Sequence, residues 1–484
     1  MKILLINPPT FNMITSALPG VIEEERGVNP PLGILYIAGY LRKFTDHEVE
    51  MFDTQLEKSS YEEIEERIKK SNPDAVGITA MTFTIIDVIK ICKIIKNFNP
   101  NIKVILGGPH INIYPNETME IPEVDFLVMG EGEMVIKDLV NNINDQEKLH
   151  QITGLVFRDD GQIVKTGVRE LLQDLDILPF PAREITQYKK YSSVLATHKI
   201  VTTMFTSRGC PYKCSFCDRP HLGKRFRART AANVVDEMEL CQNMGIGEIL
   251  IYDDTFTIDR RRVVAVCEEY LKRGLKINWD IRARVNTVDT ELLKLMKKSG
   301  CTRIHYGVEA GTEKILKVLK KGINRKMVKK AFKLTNKEGI ESLAYFMIGS
   351  PTETVDDIKE TIKFAKKIKP NFVHATVLMP FPATDIYYQG LESKVIKSDH
   401  WREFAKNPTA DFKPHLWTEN FDEKELFQLL RLFYHKFYLR PSFIVKKLAE
   451  LKSWDEFVRK FKAGMSIIKM KKNPHKLISA RVAE

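Results

Sequence analysis

Short apolar runs and amphipathic segments alternate along the first 145 or so residues. The runs Ile3–Ile6, Val49–Phe52, Ala75–Thr79, Val104–Leu106 and Phe126–Val128 have strand length. Between them Gly33–Phe44, Tyr61–Lys70, Ile86–Asn97 and Glu133–Asn142 carry apolar residues at helical spacing. This order predicts a parallel, Rossmann-like (flavodoxin-like) α/β domain over 1–145, with ligands bound beyond the carboxyl ends of its strands. Residues 151–165 change character, with apolar stretches on either side of Asp160-Gly161, a hairpin turn signal. Leu178-Pro179-Phe180-Pro181 then suits extended chain. Hairpin and linker are therefore expected over 146–198. Alternation resumes with strand candidates Val201–Thr206, Glu248–Tyr252, Asn278–Ile281, Arg303–Val308, Ser342–Ile348 and Phe372–Leu378. Helical segments such as Ala231–Met244, Arg260–Lys272, Thr290–Ser299 and Val355–Ile368 separate them. Six such units predict a partial (β/α)6 barrel over 199–385, with its chemistry at the strand carboxyl ends. A mostly helical, basic region is expected over 386–484.

Composition narrows this picture. The 484 residues are 43% hydrophobic and 29% charged, ordinary for a globular chain of two or three domains. No stretch approaches the ~20 apolar residues of a membrane-spanning helix. The opening Met1–Pro9 has too short an apolar run for a signal peptide, so a cytoplasmic protein is expected. Seven cysteines, an odd number, make no disulfide framework. Cys92, Cys241, Cys267 and Cys301 lie in apolar contexts and read as small buried hydrophobes. From Arg431 to Glu484 there are 14 Lys or Arg against 4 Asp or Glu, so ten of the twelve net positive charges sit in that tail.

The remaining cysteines carry the chemistry. Cys210, Cys214 and Cys217 form C-x3-C-x2-C directly after a predicted strand, with Gly209 and Pro211 suited to a tight loop. Zinc usually takes four ligands, and only His221 is near enough in sequence to complete such a set. A cuboidal 4Fe–4S cluster held by three thiolates keeps one iron open for an exogenous ligand. With Phe216 before the last cysteine, the motif resembles that of the radical S-adenosylmethionine (SAM) superfamily. The resemblance implies that SAM chelates the open iron and is split by one electron into methionine and a 5′-deoxyadenosyl radical. It continues at the later strand ends. Tyr252-Asp253-Asp254 is similar to the segment that holds the SAM amino group. Glu309 is similar to the family's polar SAM contact. Gly349-Ser350-Pro351-Thr352-Glu353 is similar to the turn near the adenine, which points to Asp254, Glu309, Gly349 and Pro351.

In the first domain Asn7-Pro8-Pro9, Gly107-Gly108-Pro109-His110 and Gly130-Glu131-Gly132-Glu133 end predicted strands. Glycines there admit close backbone approach by a ligand, or only make tight turns. The order resembles the cobalamin-binding domain of cobalamin-dependent radical SAM enzymes, which implies cofactor contacts at Asn7, Gly107, Gly108, Glu131 and Gly132, with Glu133 alongside. The D-x-H-x-x-G motif that supplies a lower axial histidine in many cobalamin domains is absent, so a base-off cobalamin without a protein histidine is implied. His110 stands in the wrong loop for that ligand. A degenerate domain that binds no cofactor is the alternative.

Beyond residue 429, aromatics and cations mix over Leu429–Pro441, and Trp454, Phe457 and Phe461 share one helical face. Aromatics packed on the barrel under a solvated basic face are expected. The alternatives are an interfacial helix on anionic lipid and a nucleic-acid surface, the latter without any RNA-binding signature. The tail resembles that of the group containing anaerobic magnesium-protoporphyrin ester cyclases and hopanoid methylases. That resemblance implies a large hydrophobic or anionic substrate, a one-electron donor such as flavodoxin or ferredoxin, and peripheral membrane contact. Methyl transfer to an unactivated carbon is the leading reaction, with oxidative cyclisation or a non-catalytic iron–sulfur or zinc protein as alternatives. A methylthiotransferase would bring further cluster cysteines, and the first domain has only Cys92.

Overall fold

The computed structural model describes residues 1–14, 27–193, 195–218 and 223–449. Its first sheet contains β1 (Lys2–Asn7), β2 (Glu48–Asp53), β3 (Ala75–Thr79), β4 (Lys103–Gly107), β5 (Phe126–Val128), β6 (Leu155–Asp159) and β7 (Gln162–Lys165). Their spatial order is β2-β1-β3-β4-β5-β6-β7, with β1 to β5 parallel. Helices cover both faces, so β1 is buried from Ile3 to Asn7. On one face pack helices Tyr61–Ser71 and Ile85–Phe98, on the other Leu32–Phe44 and Gly132–Asn141. Helix Tyr61–Ser71 starts on a capping box, in which Glu63 N donates to Ser60 Oγ and Ser60 N donates to Glu63 Oε2.

The expected hairpin forms around Asp160 and Gly161, both with positive φ. β6 pairs antiparallel with β5 and β7 with β6, which makes the hairpin the edge of the first sheet. Burial of Leu155, Val156 and Phe157 drives this pairing, because β5 otherwise ends the sheet on an open ladder.

The second sheet holds six parallel strands. After β8 (Val201–Met204) and the small pair β9 (Ser207–Arg208) and β10 (Arg227–Ala228) come β11 (Glu248–Ile251), β12 (Asn278–Ala283), β13 (Cys301–Glu309), β14 (Glu341–Ile348) and β15 (Phe372–Val377). The order β15-β14-β13-β12-β11-β8 gives the expected partial barrel. Helices Ala231–Asn243, Arg260–Lys272, Thr290–Lys298, Arg325–Lys337 and Val355–Ile368 alternate with these strands. The β15 edge is covered by helix Glu423–Tyr438. Ala375 N donates to Tyr434 Oη (3.1 Å) and Val373 N to Tyr438 Oη (2.8 Å), and the same hydroxyls donate to the Ala375 and Val373 carbonyls. Two tyrosines one helical turn apart thus replace a missing neighbour strand. This confirms that the aromatics of the tail pack on the barrel; Trp454, Phe457 and Phe461 lie outside the described residues. No helix among the described residues is long and apolar enough to cross a membrane.

Candidate active site

The cysteine loop leaves β9, and an aspartate on the next barrel strand holds its entry. Asp253, just past β11, is buried and accepts from Thr206 N (2.6 Å), Thr206 Oγ1, Ser207 N (3.1 Å) and Ser207 Oγ (2.6 Å). Arg262 adds a bond to the Thr206 carbonyl (2.8 Å). Within the loop Cys217 N donates to the Cys214 carbonyl (3.3 Å), and Ser215 N to the Leu319 carbonyl (3.1 Å). None of the three thiols is in a disulfide: Cys214 is buried, Cys210 half-buried and Cys217 exposed. Burial, with Asp254 nearby, pushes the Cys210 thiol up.

This donor set fits a cuboidal cluster. The thiols sit on one loop tied at both ends, and no three His, Cys, Asp or Glu of the described residues converge to hold a single ion. A tetrahedral ion needs that convergence. A cuboidal cluster instead takes each thiolate on a separate iron.

Around the loop stand the other expected contacts. Asp254 is exposed beside the loop, and partial desolvation with the Asp253 charge next to it raises its carboxyl. Glu309 has a positive φ of 68°, and its carboxylate is held by buried Lys321 Nζ at 2.8 Å. A Cβ on Gly307 would lie 2.5 Å from Glu309 Oε1 and 2.7 Å from Lys321 Nζ, so any larger residue there would push the ends of this pair aside. Lys321 thus engages Oε1 of Glu309, the residue expected to contact SAM. Gly349 (φ 78°) and Pro351 form a turn closed by Glu353, which accepts from Ser350 N at 2.9 Å. Glu353 is fully buried, one of its oxygens lacks a partner, and burial pushes its carboxyl up to about 7.

In the first domain the sites separate. Asn7, an expected cofactor contact, is buried at the end of β1: its Nδ2 donates to buried Asp53 at 2.7 Å, and Asp53 also accepts from Tyr191 Oη. A Cβ on Gly108 would come within 2.9 Å of the Ala80 carbonyl, and one on Gly132 within 3.1 Å of Ile37, so packing explains both glycines. Gly107 and Gly130 face open space, with nothing closer than 3.8 Å to an added Cβ. Next to Gly130, the Glu131 and Glu133 carboxylates, also expected at the cofactor, are taken up by Arg208 and Arg227 from the barrel at 2.5 to 2.9 Å. His110 is buried, bonded to Thr82 Oγ1, and pushed down to about 3 by burial, which keeps it neutral. The residues that sequence reasoning passed over are Asp253, Arg208, Arg284 and Lys321. Only Asp253 stood inside a recognised motif.

The barrel interior is polar. Along β15 residues 372, 374 and 376 are half-buried while 373, 375 and 377 are buried, and Arg282 and Tyr345 repeat this pattern on β12 and β14. Asp280 lies 3.4 Å from His305 Nε2, and His305 Nδ1 lies 3.0 Å from Tyr345 Oη. Arg282 stacks over Tyr252 at 4.0 Å. A surface depression of about 580 Å³ lies elsewhere, between Asp138, Lys148 and Arg169. None of its lining residues ends a parallel strand, so the lumen and the strand ends define the site. A smaller cavity of about 200 Å³ lies between the domains, lined by Tyr114, Asp218, Tyr388 and Arg402.

A three-thiol loop at the carboxyl end of a partial barrel, facing a glycine-edged α/β domain, defines an iron–sulfur enzyme of the radical SAM type. Residues 204–365 match the radical SAM superfamily, and residues 20–140 match the B12 binding domain. An uncharacterized methyltransferase of Pyrococcus horikoshii is 35% identical over 453 residues, 93% of this chain and 95% of that protein. The anaerobic magnesium-protoporphyrin IX monomethyl ester cyclase of Rubrivivax gelatinosus is 31% identical over 429 residues, 87% of this chain and 76% of the cyclase. Among solved structures, the cobalamin-dependent SAM radical enzyme OxsB, with aqua-cobalamin and SAM bound, is similar in fold at a TM-score of 0.74 and 18% identity, over 99% of this chain and 74% of OxsB. The chain belongs to the family of radical SAM enzymes that carry a B12-binding domain. Membership brings the cofactor set that the sequence implied, a 4Fe–4S cluster, SAM and cobalamin, together with a small-molecule substrate and an external reductant.

Proposed function

We propose that this enzyme methylates an unactivated carbon of a small molecule that has a polar end and an apolar body. The observation that carries the reading is the tie at Arg208. This residue stands two positions before Cys210 and binds Glu131 and Glu133, next to the open glycine cradle at Gly130 and Gly107. It brings the mouth of the cysteine loop against the mouth of the first domain. When bound, the cluster supplies the electron that splits SAM, and methylcobalamin supplies the methyl group. The protein's own contribution is placement. Asp253 fixes the loop, Lys321 orients Glu309, and the Gly349–Glu353 turn offers backbone groups. Tyr252, Arg282, Tyr345 and His374 give the lumen hydrogen-bonding partners for the polar end. Met81 and Phe381, both exposed and each next to the carboxyl end of a strand, provide apolar surface for the body. Cys217 is the most exposed thiol, which suits electron entry from a flavodoxin or ferredoxin at that side. The basic tail would favour an anionic or membrane-held substrate.

The test is anaerobic reconstitution with iron, sulfide and hydroxocobalamin, followed by dithionite and SAM carrying a deuterated methyl group. About four irons and one cobalt per chain, with 5′-deoxyadenosine formed, are expected, and lipid and tetrapyrrole candidates should gain a deuterated methyl. Product two hydrogens lighter without label would favour oxidative cyclisation. Iron and SAM cleavage without cobalt would overturn the methyl-transfer reading.

A further inference from the structure

Arg284, one residue beyond β12, is buried and permanently charged. Its Nη1 donates to Cys214 Sγ at 3.5 Å, its Nη2 donates to the Lys321 carbonyl, and its guanidinium lies 3.7 Å from the centre of the Tyr212 ring. Its Nε is buried without a partner. Among the described residues no carboxylate pairs with this charge. The neighbouring buried cation differs, since Lys321 has Glu309 at 2.8 Å. A charge taken out of water without a counter-charge costs several kcal/mol, so buried cations are paired or lost. Among the described residues, the group in reach that becomes anionic when it ligates iron is the Cys214 sulfur.

We infer that Arg284 is the built-in counter-charge of the iron–sulfur cluster, a positioning residue that acts through Cys214 and makes the cluster easier to reduce. The inference rests on the cluster reading of the three cysteines. A hydrogen bond and a positive charge at a ligating sulfur both favour the reduced, more negative cluster, and hydrogen bonds to sulfur are a recognised control of its potential. Tyr212 belongs to the same loop, between Cys210 and Cys214, so its stack on the guanidinium clamps the loop in register with the charge.

The experiment compares reconstituted full-length wild type, Arg284→Lys and Arg284→Gln without SAM. It measures iron content, circular dichroism, and the cluster's midpoint potential by electron paramagnetic resonance during redox titration. Arg284→Lys keeps the charge and should hold about four irons near the wild-type potential. In Arg284→Gln the equilibrium constant for one-electron reduction should fall at least tenfold, about 59 mV more negative, or the folded protein should lose its iron. Full iron in Arg284→Gln at the wild-type potential would overturn the inference. So would a lysine variant as impaired as the glutamine one, because shape rather than charge would then matter. Wild type that takes up no iron would instead overturn the cluster reading itself.

Discussion

Arg208 of the barrel and Glu133 of the first domain form a 2.5 Å ion pair in which each side chain is less than a tenth exposed. Arg208 also reaches Glu131, which Arg227 shares. Without the Glu133 charge Arg208 keeps Glu131, so what is lost is one buried charge-assisted bond. Glu133→Gln should therefore cost about 1–3 kcal/mol, read as a lower midpoint in anaerobic urea unfolding. A change under about 1 kcal/mol would mean that water reaches the pair.

Asp253 makes four bonds to residues 206 and 207, and an amide cannot accept them all. Asp253→Asn should keep the barrel folded and lose most of the reconstituted iron, as measured by iron assay beside circular dichroism. Unchanged iron retention would show that the loop holds its own shape.

Gly307 leaves the space in which Glu309 and Lys321 meet. Gly307→Ala should cost about 1–3 kcal/mol through overpacking. It should also weaken SAM binding, measured by calorimetry on the reconstituted enzyme, because the pair beside the cysteine loop must move. Wild-type affinity would detach this pair from the SAM site.

Glu353 is buried with a carboxyl pushed up to about 7, whereas an unfolded glutamate titrates near 4.3. The unfolded chain thus releases this proton first. The group's contribution is full below the unfolded value and is lost as pH rises through about 7. It amounts to about 3–4 kcal/mol between those limits. Glu353→Gln should flatten the fall in melting temperature between pH 5 and 8. A parallel fall in both proteins would assign it to other groups.

Gly107 offers an added side chain open space on the cradle side. Gly107→Leu should leave stability nearly unchanged and abolish cobalt uptake during reconstitution while iron stays full. Cobalt bound at wild-type levels would move the cobalamin site away from the β4 end.

The sequence by itself determined both α/β units and singled out the three cysteines expected to hold the cluster. Periodicities of two and 3.6 are local properties, and three cysteines within eight residues are close however the chain folds. It also marked the glycine-bearing strand ends. It could not tell a glycine that faces a ligand from one that faces a neighbour: Gly107 and Gly132 look alike until Ile37 is brought within 3.1 Å of one of them. Nor could it tell a carboxylate available to a ligand from one already taken. Glu309, Glu131 and Asn7 were legible as polar residues at strand ends. Their partners Lys321, Arg208 and Asp53 lie 12, 77 and 46 residues away. Those pairings, and the unpaired charge of Arg284 against Cys214, were decided only by the tertiary structure, because burial and counter-charge belong to neighbours in space.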